Sequence, residues 1–376
     1  MFIFLLILFV CILLLPSCAR ADEAPAAHQR RSLQSLHDAF SSAANSQYAY
    51  SIAHRLATDL HLHNNATYGG RQAGSDAEHA AADYLADEMR RIGLSDVEKV
   101  AAKCDKWQFN GASFTVNGTE YPVYTYATAS TVPEGITAPI VYVGRGTMYD
   151  YEGVDVKGKI VLVDIDQRAD WWITYPMLEA EHQGAAAILA ANVGGFGQVA
   201  DDALNSQDIC GPTSIPTCSI GVRASREIRA QLPNGTVLGT LKVDNTVEIG
   251  KGTTYNVTGR IRGKSSEFQI LLGGHYDTHF WGFQDDCCAV GLVLAAAKAM
   301  LDSGFEPEND IAFCLHGAEE WGSSYTQFDW TVGAWEMINT LHPEWVGKTL
   351  AFLNFELPAL AHGTRARIRS TYEYVD

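Results

Sequence analysis

Positive charge and long apolar stretches are both scarce in this chain. Of its 376 residues, 27 are Lys or Arg and 44 are Asp or Glu. A negative field of that size excludes a polyanion as the natural partner, so nucleic acid is not an expected ligand. The one sustained apolar run, Met1 to Pro16, is shorter than the ~20 residues that cross a bilayer as a helix. No internal repeat or low-complexity segment occurs, which excludes a repeat array.

The residues just after the apolar run give it a meaning. Ser17 Cys18 Ala19 Arg20 Ala21 Asp22 contains the small-x-small pair Ala19 and Ala21 of an export signal, cleaved ahead of Asp22, although the positive charge expected before such a core is missing. Leu15 Pro16 Ser17 Cys18 also reads as a lipoprotein signal with an atypical proline, and an uncleaved anchor is the third reading. The expected location is therefore secreted or cell-envelope, with Cys18 as the candidate lipid anchor. Removing residues 1–21 takes Arg20 alone from the 27 basic residues, leaving 26 against 44 acidic ones. Roughly 350 remaining residues exceed what one hydrophobic core usually supports, so two lobes are expected. Cys104, Cys210, Cys218, Cys287, Cys288 and Cys314 remain after the signal. Cys210 and Cys218 are the plausible local disulfide, with free buried thiols the alternative. Asn65, Asn117, Asn234 and Asn256 head Asn-x-Ser/Thr sequons.

The pattern changes three times along the chain. Ala81, Leu85, Met89 and Ile92 mark an amphipathic helix started by Ser75 or Asp76 and stopped by Gly93. From about Thr119 to Gly250 short β-rich runs alternate with glycine and proline turns, as in a self-contained module. The last third alternates between strand and helix, which specifies a parallel sheet with helices on its faces. Its expected strands are 268–274, 311–315 and 350–355, and its expected helices are 286–303 and 322–341. The divisions are 1–21 as signal, 22–118, the module at 119–250, and 251–376.

Acidic and imidazole groups recur at one place in that alternation. The first strand runs into His275 Tyr276 Asp277, the second into Glu319 Glu320 and the third into Asn354 Phe355 Glu356. Each cluster thus falls at the carboxyl end of a parallel strand, where open α/β sheets form their crevices. Asp285 and Asp286 enter from the loop before a helix, and Asp286 reads better as that helix's N-cap than as a supporting group. So many carboxylates around one histidine repel strongly unless cations neutralise them. Imidazole with carboxylates suits zinc, and paired ions need a bridging carboxylate. Asp277, two residues from His275 on an extended chain, can orient its ring. Of adjacent Glu319 and Glu320, one can ligate and the other act as general base. His279, Phe280 and Trp281 either line a substrate pocket or pack as a loop, His316 packs near its strand end, and Asp170 Trp171 Trp172 read as core of the module.

In this order, His275 x Asp277, Gly282 Phe283 Gln284 Asp285 Asp286, Glu319 Glu320 x Gly322 and Asn354 Phe355 Glu356 resemble the motifs of metallopeptidase family twenty-eight. That family includes aminopeptidases, glutamate carboxypeptidases and, more distantly, glutaminyl cyclases and receptors. Residues 70–75 resemble the start of its catalytic domain. Asp155 to Val163 and Gly184 to Ile188 resemble its protease-associated insert. The resemblance implies an α/β zinc-exopeptidase fold, a mostly parallel central sheet flanked by helices, with an inserted β-rich protease-associated domain. It implies two Zn2+ per complete subunit, with His275 on one, Asp285 bridging, Glu320 on the second, Glu319 as general base and Asp277 orienting. Glu356 stands where the family has aspartate, and Cys288 with Ala289 where Ser-Gly is common. The family's closing histidine lies well downstream of the Glu356 position, and His362 is too near to serve, so a carboxyl-terminally truncated chain is expected. The implied function is a zinc metallo-exopeptidase acting on peptides, an aminopeptidase before a carboxypeptidase. The alternatives are a glutaminyl cyclase-like acyltransferase on a single zinc and a non-catalytic binding homologue. Expected partners are peptide substrates, with no nucleic acid and no membrane span beyond an N-terminal anchor. Oligomeric state, with a homodimer among the options, stays open.

Overall fold

The structure, a computed structural model, describes residues 27–127, 130–170, 174–195, 200–205, 213–324 and 330–358. The leader with Cys18, the Trp171–Trp172 pair, Cys210 and His362 lie outside the described residues.

Three helices open the described chain: α1 (Ala27–Ala43), α2 (Ser46–Thr58) and α3 (Asp76–Ile92). The third follows its sequence signals closely. Ser75 Oγ accepts from Glu78 N at 3.2 Å, Asp76 and Glu78 sit in the first turn, Arg90 and Arg91 in the last, and Gly93 ends it at φ 99°. Charge thus complements the helix dipole at both ends while a left-handed glycine closes the terminus. Its inward face is Ala81, Ala82, Leu85 and Met89.

Strand β1 (Ser95–Val116) then pairs antiparallel with β8 (Leu238–Ile261) from Ser95↔Arg260 to Val116↔Gly239. These two long strands connect the halves of the molecule. Between them come β2 (Thr119–Tyr121), β3 (Val123–Tyr124), β4 (Val132–Tyr142), β5 (Ile160–Asp166), helix α4 (Tyr175–His182), β6 (Ala187–Gly194), β7 (Thr217–Ile220) and helix α5 (Val222–Arg229). Strands β4, β5, β6 and β7 pair parallel in sequence, and β8 continues unbroken past Gly250.

After β8 the chain forms β9 (Ser265–His275), α6 (Cys288–Asp302), β10 (Asn309–His316), the short helix α7 (Val332–Glu336) and β11 (Thr349–Asn354). The order across the sheet is β11-β9-β10-β8-β4-β5-β6-β7-β3. Strands β10 and β11 both run parallel to β9, in the registers His316↔His275 and Asn354↔Gly273, so the three strands end on one edge. That shared edge holds the site.

Helix α6 is buried almost all round, and Gly291 lets it cross α2 closely: a Cβ there would overlap the backbone of Ala49. It begins at Cys288 rather than 286, because Phe283–Cys287 forms a wide turn in which Asp285 and Asp286 are not helical. Among the described residues, the helix expected over 322–341 is present as Val332–Glu336 and a wider helical turn over Met337–Leu341. The start of that segment is tied to β1 instead: Asp105 N donates to Gly322 O at 2.8 Å, and Asp105 Oδ2 accepts from Ser324 N at 2.5 Å. Tertiary bonding to β1 overrides the local helical pattern at Gly322 and Ser324.

Four apolar clusters fill the interior among the described residues. One packs α2, α3 and α6 on the face of β8–β10, another fills the 119–250 region together with Phe114 and Val116 of β1, a third joins the two regions through Trp107, Tyr124, Tyr126, Ala318 and Trp321, and a fourth sets Met337 and Trp345 against Leu271, Ala312 and Cys314. Among the described residues Cys104, Cys218, Cys287, Cys288 and Cys314 are free thiols, and Cys210, the partner expected for Cys218, lies outside them. Asn256 is buried, donating to Gly333 O at 2.8 Å, so this sequon is closed to a glycan in the fold, whereas Asn117 and Asn234 are exposed. Among the described residues no helix is long and apolar enough to cross a membrane.

Candidate metal centre

His275 ends β9 and is 1% exposed, pointing its two nitrogens in different directions. Nδ1 lies 3.0 Å from the carbonyl oxygen of Asp277 and 3.5 Å from its carboxylate. Nε2 faces a ring of acids: Asp285 Oδ1 at 3.0 Å, Glu356 Oε1 at 3.3 Å, Glu319 Oε2 at 3.8 Å and Asp286 Oδ2 at 3.9 Å. Ligand atoms of His275, Asp285, Asp286 and Glu356 all lie within 4.8 Å of one another.

Asp277 is fully buried and takes a larger part than orienting His275. Its Oδ1 accepts from Glu319 N at 3.0 Å and its Oδ2 from Glu320 N at 2.9 Å. One carboxylate therefore holds the turn after β10, where Ala318 at φ 51° swings the chain so that Glu319 and Glu320 diverge. Glu319 leans toward the His275 cluster and keeps a quarter of its side chain exposed. Glu320 is buried and turns away, placing Oε2 at 2.7 Å from His279 Nε2. Neither ring nitrogen of His279, nor Glu320 Oε1, has a hydrogen-bond partner among the described residues. His279 packs on Tyr126 with ring centroids 4.2 Å apart, and Phe280 lies against Tyr124, so this loop is both site wall and core.

The charges are out of balance. Burial by itself would lower the His275 imidazole, yet Asp277, Asp285 and Glu356 hold it well above its ordinary value. Burial, aided by Glu320, Asp277 and Glu356, pushes the Glu319 carboxyl up to about 8. Asp286 is driven well up by burial and by Glu356 and Asp285, and Glu320 is raised by burial above all. Burial also acts on Asp285, but His275 outweighs it and the carboxyl is lowered. Several buried carboxylates forced toward protonation, beside orphaned ligand atoms, are the signature of a pocket that lacks positive charge. One imidazole with carboxylate oxygens is a donor set suited to zinc, so the residues present fit a divalent cation.

The structure brings His275, Asp285 and Glu356 together with Glu319 beside them. It places Glu320 against His279 and sets Asp277 beneath the turn. Asp286 does not cap α6 as expected. Its Oδ2 accepts from His275 N at 3.3 Å and its Oδ1 from Leu357 N at 3.2 Å, which draws the β9 and β11 ends together. Glu78 on α3 was missed by sequence reasoning. This fully buried acid accepts from Tyr276 Oη at 2.8 Å, Gly74 N at 3.0 Å and Thr254 Oγ1. Its only sequence signal is an acid on the apolar face of an amphipathic helix. His316 is buried at the end of β10, edge-on to Phe352.

Comparison with known proteins agrees with this geometry. Residues 256–369 match Peptidase family M28 and residues 136–228 match the PA domain. The chain is thus similar to that peptidase family over its last third and to the PA domain over residues 136–228, on a mixed α/β fold. It is 28% identical over 298 residues to "Probable leucine aminopeptidase 2" of Aspergillus fumigatus, covering 78% of this chain and 54% of that one. It is 24% identical over 276 residues to "Carboxypeptidase Q" of Homo sapiens, covering 68% and 57%. The chain spans about half the length of the curated relatives it matches. In fold it is similar to a peptidase precursor from Shewanella amazonensis, with a TM-score of 0.68, 21% identity and coverage of 86% and 73%. It is also similar to a zinc aminopeptidase from Bacillus subtilis, with a TM-score of 0.61, 20% identity and coverage of 83% and 69%.

Proposed function

We propose that this protein is a zinc-dependent exopeptidase, an aminopeptidase in preference to a carboxypeptidase, in which Glu319 is the general base. The observation that carries the reading is the convergence of His275, Asp285, Asp286 and Glu356 at the ends of two parallel strands, with Glu319 at its mouth. His275, Asp285, Glu356 and Glu320 would hold the ions. Bound there, zinc supplies Lewis acidity toward a scissile carbonyl and neutralises developing negative charge.

The protein's own groups do the rest. Asp277 fixes the backbone of Glu319 and Glu320, so the base is carried on a rigid turn rather than a mobile side-chain tether. Glu319, raised in proton affinity by its surroundings, takes the proton of the attacking water and delivers it to the leaving amine. Glu320, buried, has no access to that proton and serves as a ligand. Preference for the amino end draws support from the leucine aminopeptidase relatives, and the carboxypeptidase relatives keep the opposite polarity as the competing outcome. We further propose two ions per complete subunit, residues 119–250 as the protease-associated insert, and export directed by residues 1–21.

Zinc-loaded protein should release leucine from a free-amino leucyl peptide and leave the same peptide intact once its amino end is acetylated. Glu319→Gln should bind zinc as before while turnover falls by about 10²–10⁴, the usual worth of a general base. Cleavage of the acetylated peptide from its carboxyl end would reverse the polarity, and full turnover by the variant would remove Glu319 from its role.

A further inference from the structure

We infer that His279 is itself a metal ligand, forming with Glu320 the second metal-holding pair of this site, while Asp285 stands between that pair and the His275 cluster. The inference rests on the exopeptidase reading above and adds to it a residue that no motif assigns.

His279 Nε2 and Glu320 Oε2 are 2.7 Å apart, an imidazole nitrogen and a carboxylate oxygen brought together inside the protein. Two such ligand atoms converging side by side are placed to share a third atom. Both side chains are at least nine-tenths buried, and Glu320 Oε1 and both His279 nitrogens lack any hydrogen-bond partner among the described residues. Buried polar atoms left so are rare and costly, about 1–3 kcal/mol each, unless an ion or water fills the gap.

The pair is also connected to the rest of the site. Asp285, which contacts His275 on one side, is close enough for its charge to act on both His279 and Glu320. The ring of His279 is braced rather than free. Tyr126 packs edge-on at 4.2 Å, and Gly282 is locked beneath the loop, where a Cβ would run into Thr278. Ligands on one tetrahedral zinc stand about 3.4 Å apart, given bond lengths of about 2.1 Å, so the pair needs to open by a fraction of an ångström on binding. That is within the reach of a small side-chain rotation.

The test uses the full chain and counts metal directly. Zinc titration with elemental analysis should give two ions per wild-type chain. His279→Gln should retain the first and bind the second about a hundredfold more weakly, and His275→Gln should show the complementary loss. Cobalt substitution reads the same question spectroscopically: the visible band of the second ion should change in His279→Gln and persist in His275→Gln. If His279→Gln does not fold, X-ray absorption on the wild-type zinc protein decides, with about one imidazole per zinc expected and half that number overturning the assignment. Undiminished uptake with an unchanged cobalt spectrum in His279→Gln also overturns it, as does a single ion in the wild type, while either result leaves the exopeptidase reading standing. A folded wild type that takes up no metal ends both.

Discussion

Replacing Asp277 by Asn probes the organisation of the site most sharply, because the side chain keeps its shape and loses one acceptor. The aspartate receives two backbone N–H groups, from Glu319 at 3.0 Å and Glu320 at 2.9 Å, in a fully buried position. Asparagine can satisfy one of them. The other bond, made to a charged acceptor, is worth about 1.5–3 kcal/mol. Its loss leaves a buried N–H facing the asparagine amide, donor against donor, at a further cost of about 1–3 kcal/mol. Removing a negative charge from a crowded acidic pocket returns part of this, so the metal-free protein should lose about 2–4 kcal/mol. Urea denaturation at pH 7 under chelation measures that loss. In the zinc-loaded protein kcat should fall by at least about 10²-fold, because the displaced turn carries the base itself. A variant within about 0.5 kcal/mol of wild type, with unchanged kcat, would refute the claim that this carboxylate holds Glu319 and Glu320 in place.

Other expectations rest on separate features. Zinc at a hundred times its dissociation constant should stabilise the protein by about 2.7 kcal/mol, seen as a rise in Tm that excess chelator reverses. Gly333→Ala should destabilise by about 1–3 kcal/mol or more and depress turnover, since a Cβ there overlaps the carbonyl of Gly317 at the base of the Glu319 turn. Calorimetry and peptide hydrolysis together check this, and a neutral outcome contradicts the packing. Asp310, at the start of β10 and far along the strand from the site, accepts from Gly263 N at 2.8 Å, Ser266 Oγ at 3.1 Å and Arg262 Nη1 at 3.0 Å. Burial raises its carboxyl, but these partners outweigh burial and hold it below its ordinary value. A depressed folded pKa contributes stability above the unfolded carboxylate value and loses it as pH falls through the folded one. Asp310→Asn should therefore flatten the acid limb of a stability-versus-pH curve without changing kcat at neutral pH.

Much of the architecture was readable from local chemistry. The cap, dipole charges and terminal glycine of α3 are short-range devices, and they bound the helix within a residue of expectation. The runs that became β5, β6, β9 and β10 were legible for a similar reason: their apolar residues pack on both sheet faces, which forces continuous hydrophobic segments between turns. The position of His275, Glu319 and Glu356 just after such segments was enough to place them on one sheet edge.

What local chemistry could not contain is the outcome of contacts between distant segments. Gly322 and Ser324, at the start of the helix expected over 322–341, are bonded instead to Asp105, more than two hundred residues earlier. Asp286 looked like an N-cap because the start of α6 was read two residues early, whereas the fold spends its carboxylate on His275 and Leu357. Glu78 and His279 carried almost no signal of their own: one is a single acid in an apolar stripe, the other a loop histidine, and each gains its meaning from a partner brought to it by the sheet. The sequence alone thus determined which chemistries were present and the strand ends at which they would gather, since periodicity and turn residues act within a few positions. Only the tertiary structure decided which acid faces which imidazole, because those distances are set by strand register and packing across the whole chain.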